Sequence, residues 1–448
     1  MDRTKLMILG GIAGALLLGL LVFFLFRGLG GITKAPQPVY LQFWGVYDNP
    51  SYYADIIRAY EKINPTVHIN YRLFSFADYE KQLVDAFAAG TGPDIWLMHN
   101  TWLPKHGDKI QPLPQAIPDQ KQPLFTIKDF QDQFIDVTLN DLTLSDQIYA
   151  LPLYADTLAL YYNKEMFNTA GIATPPATWN EFNDTIKKLT KLDNRGGITQ
   201  AGAALGTAKN INRSTDILSL LMLQSGVQMT DAENTAATFA SAYGSQRVGE
   251  VALQYYTDFA NQLKQVFTWD NQQHYSVDAF VEGRAAMMLN YSHQILTLRA
   301  KAPRFNFTIA PVPQLGPTGA EGLAETQTAV NYANYWAPTV AKQSKNAVEA
   351  WKFLVYLSSA ETAKQYLAAA SRPAARRDLI AAQITEPEIG VFAKQALSAR
   401  SWYQADNNEI EAIFAEMIDD VNFGRASIRD ALQSAESKVN VLMQKNRR

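Results

Sequence analysis

Between residues 39 and 98 the chain alternates strand and helix signals, and that order leaves few folds open. VYLQFWG (39–45) has strand composition. SYYADIIRAYEKIN (51–64) spaces Tyr53, Ile56, Ile57 and Tyr60 along one helical face and stops before Pro65. VHINYRLF (67–74) alternates like a strand. Ser75-x-x-Asp78 resembles a capping box, and ADYEKQLVDAFAA (77–89) then sets Leu83, Val84 and Phe87 on one side. Gly90 sits where a helix C′ glycine belongs. The turn GTGPD then launches IWLM (95–98), a short apolar run of the kind buried in parallel sheets. The order β-α-β-α-β implies an open α/β sheet, and such sheets bind ligands outside the carboxyl ends of their strands. By that rule VYDNP (46–50) and HNTW (99–102) share one rim.

The N-terminus is of another kind. MILGGIAGALLLGLLVFFLF (7–26) carries no charge. It matches the ~20 apolar residues that span a bilayer and exceeds the roughly 7–15 of a signal-peptide core. Arg3 and Lys5 precede it, which places the rest of the chain outside the cytoplasm. FRGLGG is not a clean small-residue cleavage site, so residues 1–27 are expected to stay as a single transmembrane helix in the cell membrane, the alternative being a cleaved leader, with 28–38 (GLGGITKAPQP) as a short tether.

The remaining composition mostly excludes. The length of 448 residues calls for two or three domains, and 47% hydrophobic residues supply the cores. A net charge of −3 without a long basic run argues against nucleic acid as a partner. Cysteine is absent, which removes disulfides, thiolate metal sites and cysteine nucleophiles. The five histidines form no i, i+4 pair and no HExxH, and neither GxxxxGK[ST] nor GxSxG occurs. No metal, no cofactor and no catalytic residue is expected.

Five stretches resemble, in order, the extracellular solute-binding proteins of ABC importers of the maltose-binding-protein type. GTGPDIW looks like that family's G-x-x-P-D-[IVL] turn. YALPLYADTLALYYNKEMFNTAGI (149–172) is similar to its first interdomain crossing, and PPATWNEF (175–182) to its P-x-T-W-x-E helix start, where Thr178-x-x-Glu181 is a second capping box. FVEGRAAMMLNYSHQI (280–295) and FNFTIAPVPQLGP (305–317) resemble its F-x-x-G-x-A-A-M segment and the P-x-P strand that follows. The resemblance implies a periplasmic-binding-protein-like α/β fold of two discontinuous lobes joined by a hinge: residues 39–150 with 291–336, and 151–290 with 337–448. It implies crossings near 150–156, 290–310 and 336–341. NAVEAWKFLVYLSS (346–359) and IRDALQSAESKVNVLMQ (428–444) read as packing helices.

The candidate ligand-binding residues follow from that frame. Tyr47 and Asp48 follow the first strand, and His99, Asn100 and Trp102 follow the third. Asp156 holds the place of a ligand-binding acid in the maltose-binding protein, and Arg213 lies in the corresponding loop of the second lobe. Tyr291 and His293 stand in NYSH, where the family commonly has N-G-x-W, so a tryptophan platform is lost. Tyr335 and Trp336 occupy a crossing where many members carry paired glycines, which narrows the expected cleft. Arg372, Trp402 and Tyr403 complete the set. Aromatic faces with Asp, Asn and Arg suit a carbohydrate ligand, and with only two arginines the set argues against strong anion selectivity. The expected function is capture of a sugar or oligosaccharide outside the cell and delivery to an ABC permease, without enzymatic activity. The alternative is a sensor or adhesive domain of the same fold.

Overall fold

A computed structural model describes residues 14–20, 37–117, 122–242, 247–316 and 329–445. The first sheet is built as the alternation demands. β1 (Val39–Val46) and β2 (Val67–Phe74) pair in parallel, Val39 opposite Val67 and Val46 opposite Phe74. β3 (Ile95–His99) joins β1 in parallel, with Ile95 opposite Phe43. All five residues of β3 are buried, as an uninterrupted apolar run in a central strand requires. Its other neighbour arrives from far along the chain: Trp336–Val340 runs antiparallel to β3, Trp336 opposite His99 and Val340 opposite Ile95.

Local chemistry sets the element ends. Ser75 caps the helix Phe76–Ala88 by accepting the Asp78 N–H. Its hydroxyl donates to the Asp78 carboxylate at 2.6 Å. Thr178 and Glu181 form both halves of a capping box. Gly90 follows the first of these helices with φ +69°, in open space, as a C′ glycine does. Gly92 is needed for another reason: a Cβ there would collide with the Phe87 ring.

A second unit centres on the strand Ala159–Asn163, flanked antiparallel by Met287–Asn290 and Phe307–Ala310. Between the two units lies a three-stranded sheet of chain crossings, in which Asn331–Asn334 pairs antiparallel with Asp156–Thr157 and parallel with Ala399–Arg400. Two hydrophobic cores result. The first holds apolar residues from Leu41 to Ala155 and from Ala333 to Ala399. The second holds those from Leu158 to Val312 and from Trp402 to Met443. The helix Ile389–Ala396 belongs to both, with Phe392 in the second core and Ala393 and Ala396 in the first.

This two-lobed α/β architecture is of the expected periplasmic-binding-protein type, but the chain divides differently. Residues 291–312 stay with the second core, because Phe307–Ala310 completes the sheet on Ala159–Asn163. No crossing lies at 290–310. The return comes at 331–336, and a further crossing at 399–400 sends the chain back. The helix Ala347–Leu357 accordingly packs in the first core and Ile428–Lys445 in the second. Most of the apolar stretch 7–26 and all but two residues of the tether fall outside the described residues. Among those described, no helix is long and apolar enough to cross a membrane.

Candidate ligand-binding site

Six of the candidate residues line one pocket between the cores: Tyr47, Asp156, Arg213, His293, Trp336 and Arg372. Its volume is about 250 Å³. Tyr47, at the end of β1, has φ +65°, and Arg213, just before the helix Ser214–Gln224, has φ +65° as well. Non-glycine residues are uncommon in that region and hold it only where their surroundings over-determine it. Tyr47 stacks on Phe76 at 5.3 Å, and its hydroxyl is hydrogen-bonded to Arg213, so the two strained residues meet across the pocket.

The carboxylates are held by neighbours of their own. Asp156 accepts hydrogen bonds from the backbone N–H of Thr157 at 2.9 Å and of Ser292 at 3.0 Å, and from the Ser292 hydroxyl at 2.6 Å. Arg372 Nη1 lies 3.7 Å from Asp156 Oδ2, and its guanidinium sits 4.8 Å over the Tyr154 ring. Asp48 Oδ2 accepts from the hydroxyls of Tyr53 at 2.6 Å and Tyr366 at 2.7 Å, which leaves Asp48 behind the pocket wall. Burial pushes both carboxyls up, against the pull of Arg372 and of their hydrogen bonds. Burial, reinforced by Arg372 and Arg213, holds His293 well below the usual imidazole range, so it is neutral and offers one donor and one acceptor.

The other candidates lie elsewhere. His99 is buried among Asn334, Asp216 and Glu411, its ring edge-on to Trp336 at 5.2 Å, and burial lowers it to about 4. Trp102 is a core residue whose indole donates to Asn407 Oδ1 at 2.8 Å. Tyr291 is buried, donating to Asp216 at 2.7 Å. Tyr335 donates to Asp141 at 2.7 Å, and Asn100 donates to the same oxygen at 3.0 Å. Asn100, Trp402 and Tyr403 line a separate and larger groove of about 1230 Å³ that shares no residue with the pocket. There Trp402 stacks on Phe414 at 5.8 Å.

The pocket is the stronger candidate despite its size. Charged side chains from both cores converge on it, whereas polar groups along the groove already bind one another. Asp141 accepts from Asn100, Tyr335 and Ser401. Lys105 bridges Glu80 at 2.6 Å and Asp406 at 2.8 Å.

Sequence reading passed over Tyr52, Tyr154, Leu296, Thr297 and Asn334, all in the pocket wall. Tyr154 stands two residues before Asp156, on the stretch already singled out. Asp216 and Glu411, which flank Arg213, were also missed. Asp216 reads as an ordinary acidic first-turn residue, and nothing local ties Glu411 to a partner nearly two hundred residues earlier. Burial and then Asp216 push Glu411 up to about 7. Among the described residues, no group of three His, Asp or Glu could hold a metal ion.

The family model for bacterial extracellular solute-binding proteins matches residues 46–364. The chain belongs to that family. A binding protein of Brucella abortus is 27% identical over 310 residues, 68% of each chain. The maltotriose-binding protein of Pyrococcus abyssi is 23% identical over 63% of this chain and 54% of its own. The structure of a cyclic α-maltosyl-1,6-maltose binding protein from Arthrobacter globiformis superposes with TM-score 0.73 at 21% identity, over 91% of this chain and 100% of that one. An ABC transporter solute-binding protein of Thermotoga lettingae bound to α-D-tagatose gives 0.68 at 20%, over 90% and 100%. At these identities the structures establish the fold of this solute-binding protein, and family membership places the bulk of the chain outside the cytoplasm.

Proposed function

We propose that this solute-binding protein captures a sugar in the pocket between its lobes and delivers it to an ABC permease. The observation that carries the proposal is the pocket's composition. Arg213 and His293 come from the second core's elements, Arg372, Trp336 and Tyr47 from the first's, so a ligand held by both sides favours the closed arrangement. Tyr47 and Trp336 offer aromatic faces for sugar C–H groups, and the guanidiniums offer charge-assisted hydrogen bonds. The curated maltotriose-binding relative and the sugar-bound neighbours support the same reading. We assign 39–155 with 333–399 to one lobe and 156–332 with 400–448 to the other. Residues 7–26 tether the protein to the membrane, and the protein is no enzyme.

Both cores lie between Leu41 and Met443, so a chain starting at residue 34 retains them. A thermal-shift panel of mono-, di- and oligosaccharides, polyols and amino acids on that chain tests the proposal. Ligand at about 100 times its Kd contributes about 2.7 kcal/mol to the folded state, enough to raise Tm by several degrees. A shift with amino acids or polyols and none with any sugar overturns it.

A further inference from the structure

Resting on that reading, we infer that the solute is a single sugar ring bearing a carboxylate, such as a hexuronate, gripped between Arg213 and Arg372. Size comes first. About 250 Å³ is at or below the bottom of the roughly 300–1,000 Å³ usual for ligand sites, room for one ring and not a chain of them. Trp336 closes it, wedged against Tyr47, Phe76, His99 and Trp102 at ring separations of 4.9–6.3 Å. The larger groove offers no continuation, since the two cavities have no wall residue in common.

Hydrogen-bond supply decides the chemistry. A neutral sugar presents mainly hydroxyls, each of which needs an acceptor for its proton. Of the buried carboxylates, Asp156 is bound by Thr157 and Ser292 and Asp216 by Tyr291, while Asp48, whose Oδ1 has no partner, lies behind the pocket wall. The arginine donors are less fully engaged. Arg213 Nε is buried with no hydrogen-bond partner, and Arg372 is beyond hydrogen-bonding distance of Asp156. Guanidinium groups donate and never accept, and a carboxylate, which accepts through two oxygens and never donates, is the sugar substituent that meets them best. The carboxylates behind the arginines leave no net positive basin. Selection comes from these oriented donors, one from each lobe, and from the aromatic walls that take the ring.

The test is isothermal titration of the chain from residue 34 with D-glucuronate and D-galacturonate, against glucose, galactose, maltotriose and acetate. At least one uronate is expected to bind about tenfold or more tighter than its neutral hexose. Acetate alone is expected to bind far more weakly. Arg372→Lys, which keeps the charge but loses the planar fork, is expected to lower uronate affinity about tenfold and neutral hexose affinity by less, so that the preference narrows; an equal loss for both overturns the inference. Arg213→Lys provides the same comparison should the first variant fold poorly. Tighter binding of a neutral hexose or of maltotriose overturns this inference and leaves the sugar reading standing. Binding of no sugar of either kind overturns both.

Discussion

At the residue scale, the site depends on how completely each buried carboxylate is hydrogen-bonded. Asp156 was legible because it sits in a crossing that resembles a known family, and it lines the pocket. It binds Ser292 and so ties the crossing strand to the loop after Met287–Asn290. Asp156→Ala would leave Arg372 and the Ser292 donors without their partner, so urea unfolding at pH 7 is expected to show a loss of about 3–5 kcal/mol. A loss below 1 kcal/mol would mean the network is dispensable. Tyr47→Gly separates ligand contact from strain. Glycine relieves the positive φ, so stability should hold within about 1 kcal/mol while sugar affinity falls about tenfold, read by titration calorimetry. Asp216 and Glu411 were illegible because a carboxylate's partner is set by tertiary packing, not by its neighbours in sequence.

At the element scale, β1 to β3 and their helices were readable from periodicity and caps. The third crossing was not. Ala399–Arg400 is a two-residue strand, too short to carry any alternation, and it exists only because Asn331–Asn334 lies beside it. Asp141 sits at this junction, holding the loop after β3, the crossing and Ser401 together. Burial pushes its carboxyl up to about 6 from an ordinary 3.8, against those three hydrogen bonds. A raised carboxyl contributes stability that is complete below pH 3.8 and lost as pH climbs through about 6. That difference is worth about 3 kcal/mol. Asp141→Asn should therefore gain up to that amount relative to the parent between pH 4 and 7, by urea unfolding at each pH. A pH-independent difference would show that Asp141 is not the titrating group.

At the scale of the whole molecule, the lobes are also clasped away from the pocket. Lys105 on the first lobe reaches Asp406 on the second, and Asn408 donates to Glu80 at 2.8 Å. Bonds from His106 and Lys105 outweigh partial burial and hold Glu80 at about 2, so the clasp stays ionised at neutral pH. Lys105→Met should weaken sugar affinity a few-fold without touching the pocket, and should flatten its salt dependence between 50 and 500 mM, because a partly exposed pair contributes roughly 1 kcal/mol. An unchanged affinity would mean that closure does not engage the clasp.

The interleaving of the two lobes also bears on how the protein is made. β3 lacks its outer neighbour until Trp336–Val340 is synthesised, and the first core lacks its share of residues 333–399. At about 5–20 residues per second, the stretch from 155 to 333 takes roughly 10–35 s to emerge, and through all of it the first lobe is an unfinished sheet with an open edge. A nascent chain of this design stays threadable for most of its synthesis, which suits a protein of a family whose members work outside the cytoplasm.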